Sequence, residues 1–363
     1  MRAHIAEKIF TGEEWLADSA VLTAKERILE VVPKNEIPAG FETILHGDNY
    51  LVPSFIDLQI YGAAGHLLSV HPTAATLATI YEYCKAGGAH YFQPTVATNS
   101  YNVLYRCIDA VKDYRNSGGK GVHGLHVEGP WINKIKRGAH VEAFIHSPTI
   151  EQATALLEYG KGVITMITLA PEVCSNEVID LIHSYNVIVS AGHSNATFAE
   201  ATAAFNNGIS AATHLYNAMN PLHHRQPGIV GAIMVHNAVT SSIVPDGFHV
   251  DFAAISIAKK VMQQRLFFIT DAVTYTNEGL YPHQPDGEKY VSNGTLSGSA
   301  LTMAKCVKNC VEKAGIDLAE ALRMASLYPA RVIKTDNQMG RIAKGYHADF
   351  TILNQQLQVI HPH

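Results

Sequence analysis

From residue 51 onward, short apolar runs bounded by turn-forming or polar residues recur eight times along the chain. They are Phe55–Ile60, His90–Val96, Val122–Val127, Val163–Leu169, Val187–Ala191, Ser210–His214, Ser241–Val244 and Leu266–Thr270. Most are separated by amphipathic helical patterns: Thr73–Ala86, Asn102–Tyr114, Asn176–Tyr185, Phe198–Asn206 and Phe252–Met262. Parallel strands need such crossovers, and strands covered on both faces are apolar throughout, as these runs are. Eight consecutive units select a closed (β/α)₈ TIM barrel of the α/β class over an open doubly wound sheet. The ends of the chain read differently. Ala20–Leu22, Arg27–Val32 and Thr43–His46 are strand-like pieces between turn-formers, and Asp349–Leu353 and Val359–Ile360 look similar.

Composition narrows the partners. The 363 residues carry 32 acidic and 27 Lys and Arg side chains, a net charge of −5, which argues against nucleic acid or an anionic membrane as the main partner. No apolar run approaches the 18 or so residues a membrane helix needs. Met1–Phe10 alternates charged and apolar groups without the apolar core of a signal peptide. Cys84, Cys107, Cys174, Cys306 and Cys310 are scattered and odd in number, unlike a disulfide framework. A cytoplasmic location is expected. Twenty histidines are abundant enough to matter for metal binding or proton transfer.

The polar residues sit at one end of the runs. His126-Val-Glu128-Gly-Pro130 closes the third, Ala191-Gly-His193-Ser194 the fifth and Thr213-His214-Leu-Tyr-Asn217 the sixth. Asp246-Gly-Phe-His249 follows the seventh and Thr270-Asp271-Ala272 closes the eighth. In a parallel barrel these ends share one rim, where active sites form. One carboxylate and two imidazoles, Glu128, His193 and His214, would leave an open position on a divalent ion for water, and Asp271 is the candidate general base. Each also has a plainer explanation: a hydrogen-bonded structural histidine, a helix N-cap aspartate, a turn glutamate. Arg225, in a Gly/Pro/His-rich loop, has the planar fork that suits a phosphate, though most loop arginines are merely solvated.

Taken together, Phe55-Ile-Asp57-Leu-Gln59, His126-Val-Glu128-Gly-Pro130, Arg137-Gly-Ala-His140, Ser190-Ala-Gly-His-Ser-Asn-Ala-Thr197, Ala212-Thr-His-Leu-Tyr-Asn-Ala-Met219 and Gly294-Thr-Leu-Ser-Gly-Ser-Ala-Leu-Thr-Met303 resemble the N-acetylglucosamine-6-phosphate deacetylase family of the amidohydrolase superfamily. The resemblance implies a barrel over residues 53–335 and a small β-sandwich built from residues 1–52 and 336–363. It implies hydrolysis of the N-acetyl group to glucosamine 6-phosphate and acetate. Glu128, His193 and His214 would hold one divalent metal ion per subunit, with zinc the first choice and iron, cobalt or nickel alternatives. Asp271 would be the catalytic acid and base. Ala139 and His140 would contact substrate and polarise the acetyl carbonyl. Asn217 and Ala218 would meet the phosphate, joined by Arg225 from the adjacent subunit of a homodimer or homotetramer. His249 would hold the sugar, and Leu296, Ser297 and Gly298 would line the pocket.

One departure concerns the metal. The superfamily's His-x-His after the first strand is Gln59-Ile-Tyr61 here, which removes two imidazoles, so one metal is expected, with Gln59 hydrogen-bonding water beside it. Tyr61 is unusual there and its role is open. The competing readings are an amidohydrolase acting on a different amide or deaminable base, and a non-catalytic sugar-phosphate sensor. The first would not need Arg225 and the Asn217-Ala218 pair; the second would not need a free base beside the metal.

Overall fold

The structure, a computed structural model, describes residues 1–360. Its centre is an eight-stranded parallel sheet in sequential order. The strands are β1 (Phe55–Ile60), β2 (Ala89–Ala97), β3 (Leu125–Glu128), β4 (Ile164–Leu169), β5 (Ile188–Ala191), β6 (Ala211–Ala212), β7 (Thr240–Ile243) and β8 (Leu266–Phe268). The chain just past β8 returns to β1 and closes the barrel. Ile60 and Ala272 form a parallel bridge, the Asp271 N–H donates to the Gln59 carbonyl at 3.0 Å, and the Tyr61 N–H donates to Ala272 at 2.9 Å. The expected TIM barrel is the observed one.

Helices cover the outside, and their starts are written in the sequence. Ala74–Ala86, Tyr101–Asn116, Asn176–Ser184 and Phe198–Asn206 begin after Thr73, Ser100, Ser175 and Thr197, each of which accepts a backbone N–H of the first turn. Ile150–Tyr159 starts with a reciprocal Thr149–Gln152 capping box. Gly228–Val235 is helical although the segment is apolar on every side, because all but its last residue are buried.

The barrel interior is polar as well as apolar. His126 Nε2 meets Thr168 Oγ1 at 2.7 Å, Thr168 meets Thr213 at 2.7 Å, and Thr213 meets Ser190 at 2.6 Å, so each of these buried groups has a partner.

Both chain ends build sheet outside the barrel. One four-stranded sheet runs Arg27–Pro33, Ser19–Ala24, Arg2–Ile5, Glu42–Leu45; the other runs Phe350–Leu353, Tyr50–Pro53, Lys8–Phe10, Trp15–Ala17. Ile9, Val21, Ile28, Leu51, Ile342 and Ile352 pack together as a small separate core. A three-stranded antiparallel insertion, Gln284–Asp286, Lys289–Ser292 and Thr295–Ser299, follows β8 and carries Leu296–Gly298 back to the rim through an Ala272–Ser299 bridge.

Asp57 supports the closing seam from inside. Its Oδ1 accepts the N–H groups of Gln59 at 3.2 Å and Thr270 at 3.1 Å, and its Oδ2 accepts the Thr270 hydroxyl at 2.5 Å. Burial pushes the carboxyl pKa up to about 7, against the opposing pull of these bonds. The unfolded chain ionises near 3.9, so the folded state holds an extra proton between about pH 4 and 7, and stability falls as pH rises through that window. Asp57→Asn keeps the Oδ1 contacts and removes the titration. Relative to wild type, this variant should gain stability from pH 4 to 8 by at most about 4 kcal/mol, at 1.36 kcal/mol per pH unit. Denaturant midpoints at the two pH values measure it, and a pH-independent difference would refute it.

Candidate active site

The rim at the carboxyl end of the strands gathers the residues singled out by the sequence. Glu128 is the last residue of β3, and His193, His214 and Asp271 lie two or three residues beyond β5, β6 and β8. The chain turns sharply at each of the latter three. His193, His214 and Asp271 have φ of +48°, +40° and +54°, a left-handed conformation that costs a non-glycine residue free energy and that the surrounding structure must enforce. His214 ends β6 early for this reason, so the run expected to Ser210–His214 is a strand only over Ala211–Ala212.

Three ligand atoms converge. His193 Nε2 and His214 Nε2 lie 3.2 and 2.9 Å from Glu128 Oε1, and 3.1 Å from each other. Donors about 2.0–2.2 Å from a tetrahedral ion are roughly 3.3–3.5 Å apart, so this triangle is near the size an ion would set. His193 Nδ1 lies 2.9 Å from the Lys136 carbonyl, which puts the proton on Nδ1 and aims the Nε2 lone pair into the cluster. His214 Nδ1 is buried without a protein partner. The donor set therefore fits a divalent metal. Burial alone would raise the Glu128 pKa, but the close approach of the His140, His193 and His214 rings outweighs it and holds the carboxyl well below its usual range. For His214 burial pulls the pKa down, and the Glu128 contact more than reverses it.

His140 also belongs to the cluster. Glu128, His140 and His193 offer ligand atoms within 4.8 Å of one another. His140 Nε2 approaches the other carboxylate oxygen, Oε2, at 3.3 Å, while its Nδ1 meets Thr98 Oγ1 at 2.7 Å. The carboxylate oxygen can only accept, so Nε2 carries the proton that faces the cavity, while Thr98 steadies the ring at Nδ1. Burial and the charge of His193 bring the His140 pKa down to about 4.

Asp271 Oδ1 accepts from Gln59 Nε2 at 2.8 Å, and its Oδ2 faces His249 Nε2 at 3.8 Å. Burial raises the Asp271 pKa, with the neighbouring His249 and His214 acting against it. His249 is oriented by Asp246, whose Oδ2 lies 2.6 Å from His249 Nδ1 and whose Oδ1 accepts the Phe248 and His249 N–H groups.

A cavity of about 240 Å³ opens over this cluster, lined by Glu128, His193, His214 and Asp271 together with Ala139, His140, Asn217, Ala218, His249, Leu296 and Ser297. Three expected residues stand apart from its lining. Gln59 lies beneath, bonded to Glu128 at 3.2 Å and to Asp271. Gly298 is a backbone position, where a Cβ would come within 2.6 Å of Val273. Arg225 is exposed on its loop. Sequence reasoning left Tyr61 without a role. Its hydroxyl donates to Glu128 Oε2 and accepts from Gln59 Nε2 at 2.7 Å. Thr98 and Asp246 were missed as orienting groups; only the Asp-x-x-His spacing signalled Asp246.

Comparison with known proteins gives a consistent result. The model of the Amidohydrolase family matches residues 50–362. N-acetylglucosamine-6-phosphate deacetylase of Haemophilus influenzae is 35% identical, the match covering 97% of this chain and 95% of that protein. N-acetylgalactosamine-6-phosphate deacetylase of Escherichia coli O157:H7 is 30% identical over 98% and 95%. A crystal structure of N-acetylglucosamine-6-phosphate deacetylase from Pasteurella multocida superposes with a TM-score of 0.95 at 33% identity, covering 99% and 96%. The match spans the barrel and the metal-fitting rim alike, and the chain belongs to the amidohydrolase family.

Proposed function

We propose that this chain is a metal-dependent amide hydrolase that removes the acetyl group of N-acetyl-D-glucosamine 6-phosphate, giving D-glucosamine 6-phosphate and acetate. The observation that carries the reading is the Glu128–His193–His214 triangle beside an unliganded, buried Asp271 in one cavity. The full-length likeness to amino-sugar-phosphate deacetylases supplies the substrate class.

A divalent cation held by Glu128, His193 and His214 would polarise the acyl carbonyl and bring the pKa of its water to about 7. The chain's own groups do the rest. Asp271, held by Gln59, takes the proton from the attacking water. The Nε2–H of His140, set by Thr98, donates to the oxygen that becomes negative as the carbonyl carbon turns tetrahedral. Asp271 then returns the proton to the sugar nitrogen, which leaves poorly as an anion. Its raised pKa suits both halves of that task. His249, fixed by Asp246, faces the same space and would hold the sugar.

The residues lining the cavity include neither Lys nor Arg. Asn217 and Ala218 can offer dipoles to a phosphate dianion but no charge. We assign that charge to Arg225 of a second copy of the chain, its guanidinium being exposed and free to reach outward.

Three outcomes test the reading. Protein stripped with chelator should lose acetate release from N-acetylglucosamine 6-phosphate and regain it when refilled with zinc, iron, cobalt or nickel singly. The 4-epimer is assayed alongside, and full activity without metal would sink the proposal. Asp271→Asn retains an acceptor for Gln59, so metal content and substrate KM should persist while kcat falls by about 10²–10⁴; near-normal turnover would remove Asp271 from its role. Arg225→Ala and Asp271→Asn should each be weak alone yet recover activity when co-assembled, since one site then has both residues intact. No recovery would place Arg225 in its own subunit's site or in none.

A further inference from the structure

A second, smaller cavity of about 40 Å³ adjoins the first and shares Tyr61, Ala139, His140 and Ser297 with it. Its remaining walls include Leu67, Ala97 and Val273. Two of the polar contacts in its wall are internal to the protein. The Tyr281 hydroxyl donates to the Thr98 carbonyl, and His283 Nδ1 lies 2.9 Å from Ser297 Oγ. Burial brings the His283 pKa down to about 4, so that ring is neutral near pH 7. The annex thus presents mainly carbon, with the Ser69 hydroxyl as a further polar group on its wall, and carries no formal charge. One water-sized probe needs roughly 10–15 Å³ on this measure, so the space takes about three such atoms.

Its position is informative. The bond to be broken must lie between the Glu128–His193–His214 cluster and Asp271, and the annex opens on the Tyr61–His140 side of that cluster. Asn217 and Ala218, where we place the phosphate, line only the main cavity. The substituent on the acyl carbon, pointing away from the sugar, therefore faces the annex. Acetyl ends in one methyl group and leaves most of that volume unfilled.

Resting on the deacetylase reading above, we infer that the annex is an acyl-chain pocket and that the chain also hydrolyses N-propionyl and N-butyryl glucosamine 6-phosphates. The reaction is unchanged in balance: water gives its oxygen and one hydrogen to the acyl carbon and its other hydrogen to nitrogen, releasing propionate or butyrate and the free amine. Each methylene that enters an apolar wall contributes about fourfold to kcat/KM.

The test compares N-acetyl, N-propionyl and N-butyryl glucosamine 6-phosphate on the metal-loaded full chain, following the released carboxylate. The propionyl substrate should have kcat/KM equal to or up to about fourfold above that of the acetyl substrate. Ala97→Leu, which fills the annex, should lower the propionyl-to-acetyl ratio at least tenfold with acetyl turnover kept within about threefold. Leu67→Ala, which enlarges it, should move the preference toward butyryl and stands as the second variant should Ala97→Leu fail to fold. Propionyl turnover a hundredfold below acetyl in the wild type, or a ratio unmoved by the soluble variants, would overturn the acyl pocket and leave the deacetylase reading intact. Absence of acetyl turnover by the wild type would remove both.

Discussion

Gln59 and Asp271 lie 212 positions apart in the chain, yet a side-chain hydrogen bond of 2.8 Å joins them. They meet because the barrel closes there. The backbone bonds between Gln59 and Asp271 and between Tyr61 and Ala272, with Asp57 holding Thr270 from below, bring the first strand against the last. Everything at the rim inherits its coordinates from this closure. An open sheet of the same strands would leave β1 and β8 on opposite edges, with Gln59 far from Asp271. The closure also explains where polar groups are tolerated inside. Asp57, His126, Thr168 and Thr213 are nearly inaccessible, and each is matched by a neighbour the closed geometry supplies.

The rim is an arrangement held against its own electrostatic cost. A carboxylate and three imidazoles are packed with little solvent access, and desolvating such groups without partners costs several kcal/mol. Partners are present on every side that the protein can provide: Lys136 carbonyl for His193, Thr98 for His140, Tyr61 and Gln59 for Glu128. What remains unmatched, besides His214 Nδ1, is the inner face, where Nε2 atoms of two histidines and one carboxylate oxygen point at a common centre. A cation is the group that turns three mutually crowded donors into favourable contacts. The left-handed turns at His193, His214 and Asp271 belong to the same logic, because backbone strain persists only where packing fixes it.

Much of this was readable from the residues, and the pattern of success has a physical cause. Short apolar-rich runs bounded by turn-formers mark barrel strands, so the pattern Phe55–Ile60 coincides with β1 to the residue, and the amphipathic patterns Phe198–Asn206 and Phe252–Met262 coincide with helices. Gly228–Val235 escaped because an all-apolar segment has no helical periodicity. The terminal strands Arg2–Ile5, Lys8–Phe10 and Tyr50–Pro53 are three or four residues long, too short to alternate recognisably. The three strands after β8 lie in a turn-rich stretch with no sustained pattern. At the site, residues next to the strand ends were legible because topology alone brings them together. Groups acting at one remove, such as Thr98 and Tyr281, carry no local signal, since their importance exists only once His140 is folded over them.

Tyr61 shows how the site's chemistry depends on a substitution that the sequence flagged but could not interpret. Glu128 has two oxygens with different duties. Oε1 faces His193 and His214, while Oε2 receives the Tyr61 hydroxyl and stands 3.3 Å from His140 Nε2. With Oε2 so engaged, Glu128 has no free oxygen to bridge to a second ion, and neither Gln59 nor Tyr61 brings an imidazole to hold one. A single-cation arrangement cannot divide proton handling between two metals. In the proposed reaction the burden falls on Asp271, and its environment suits that burden: burial raises its pKa, Gln59 fixes one oxygen, and the other stays directed at the cavity beside His249. Tyr61 does a second thing by the same placement. Its ring also walls the annex, so the residue that tethers the metal-facing carboxylate simultaneously borders the space into which we place the acyl chain. On the proposed reading, one side chain thus touches both the metal-facing carboxylate and the acyl space.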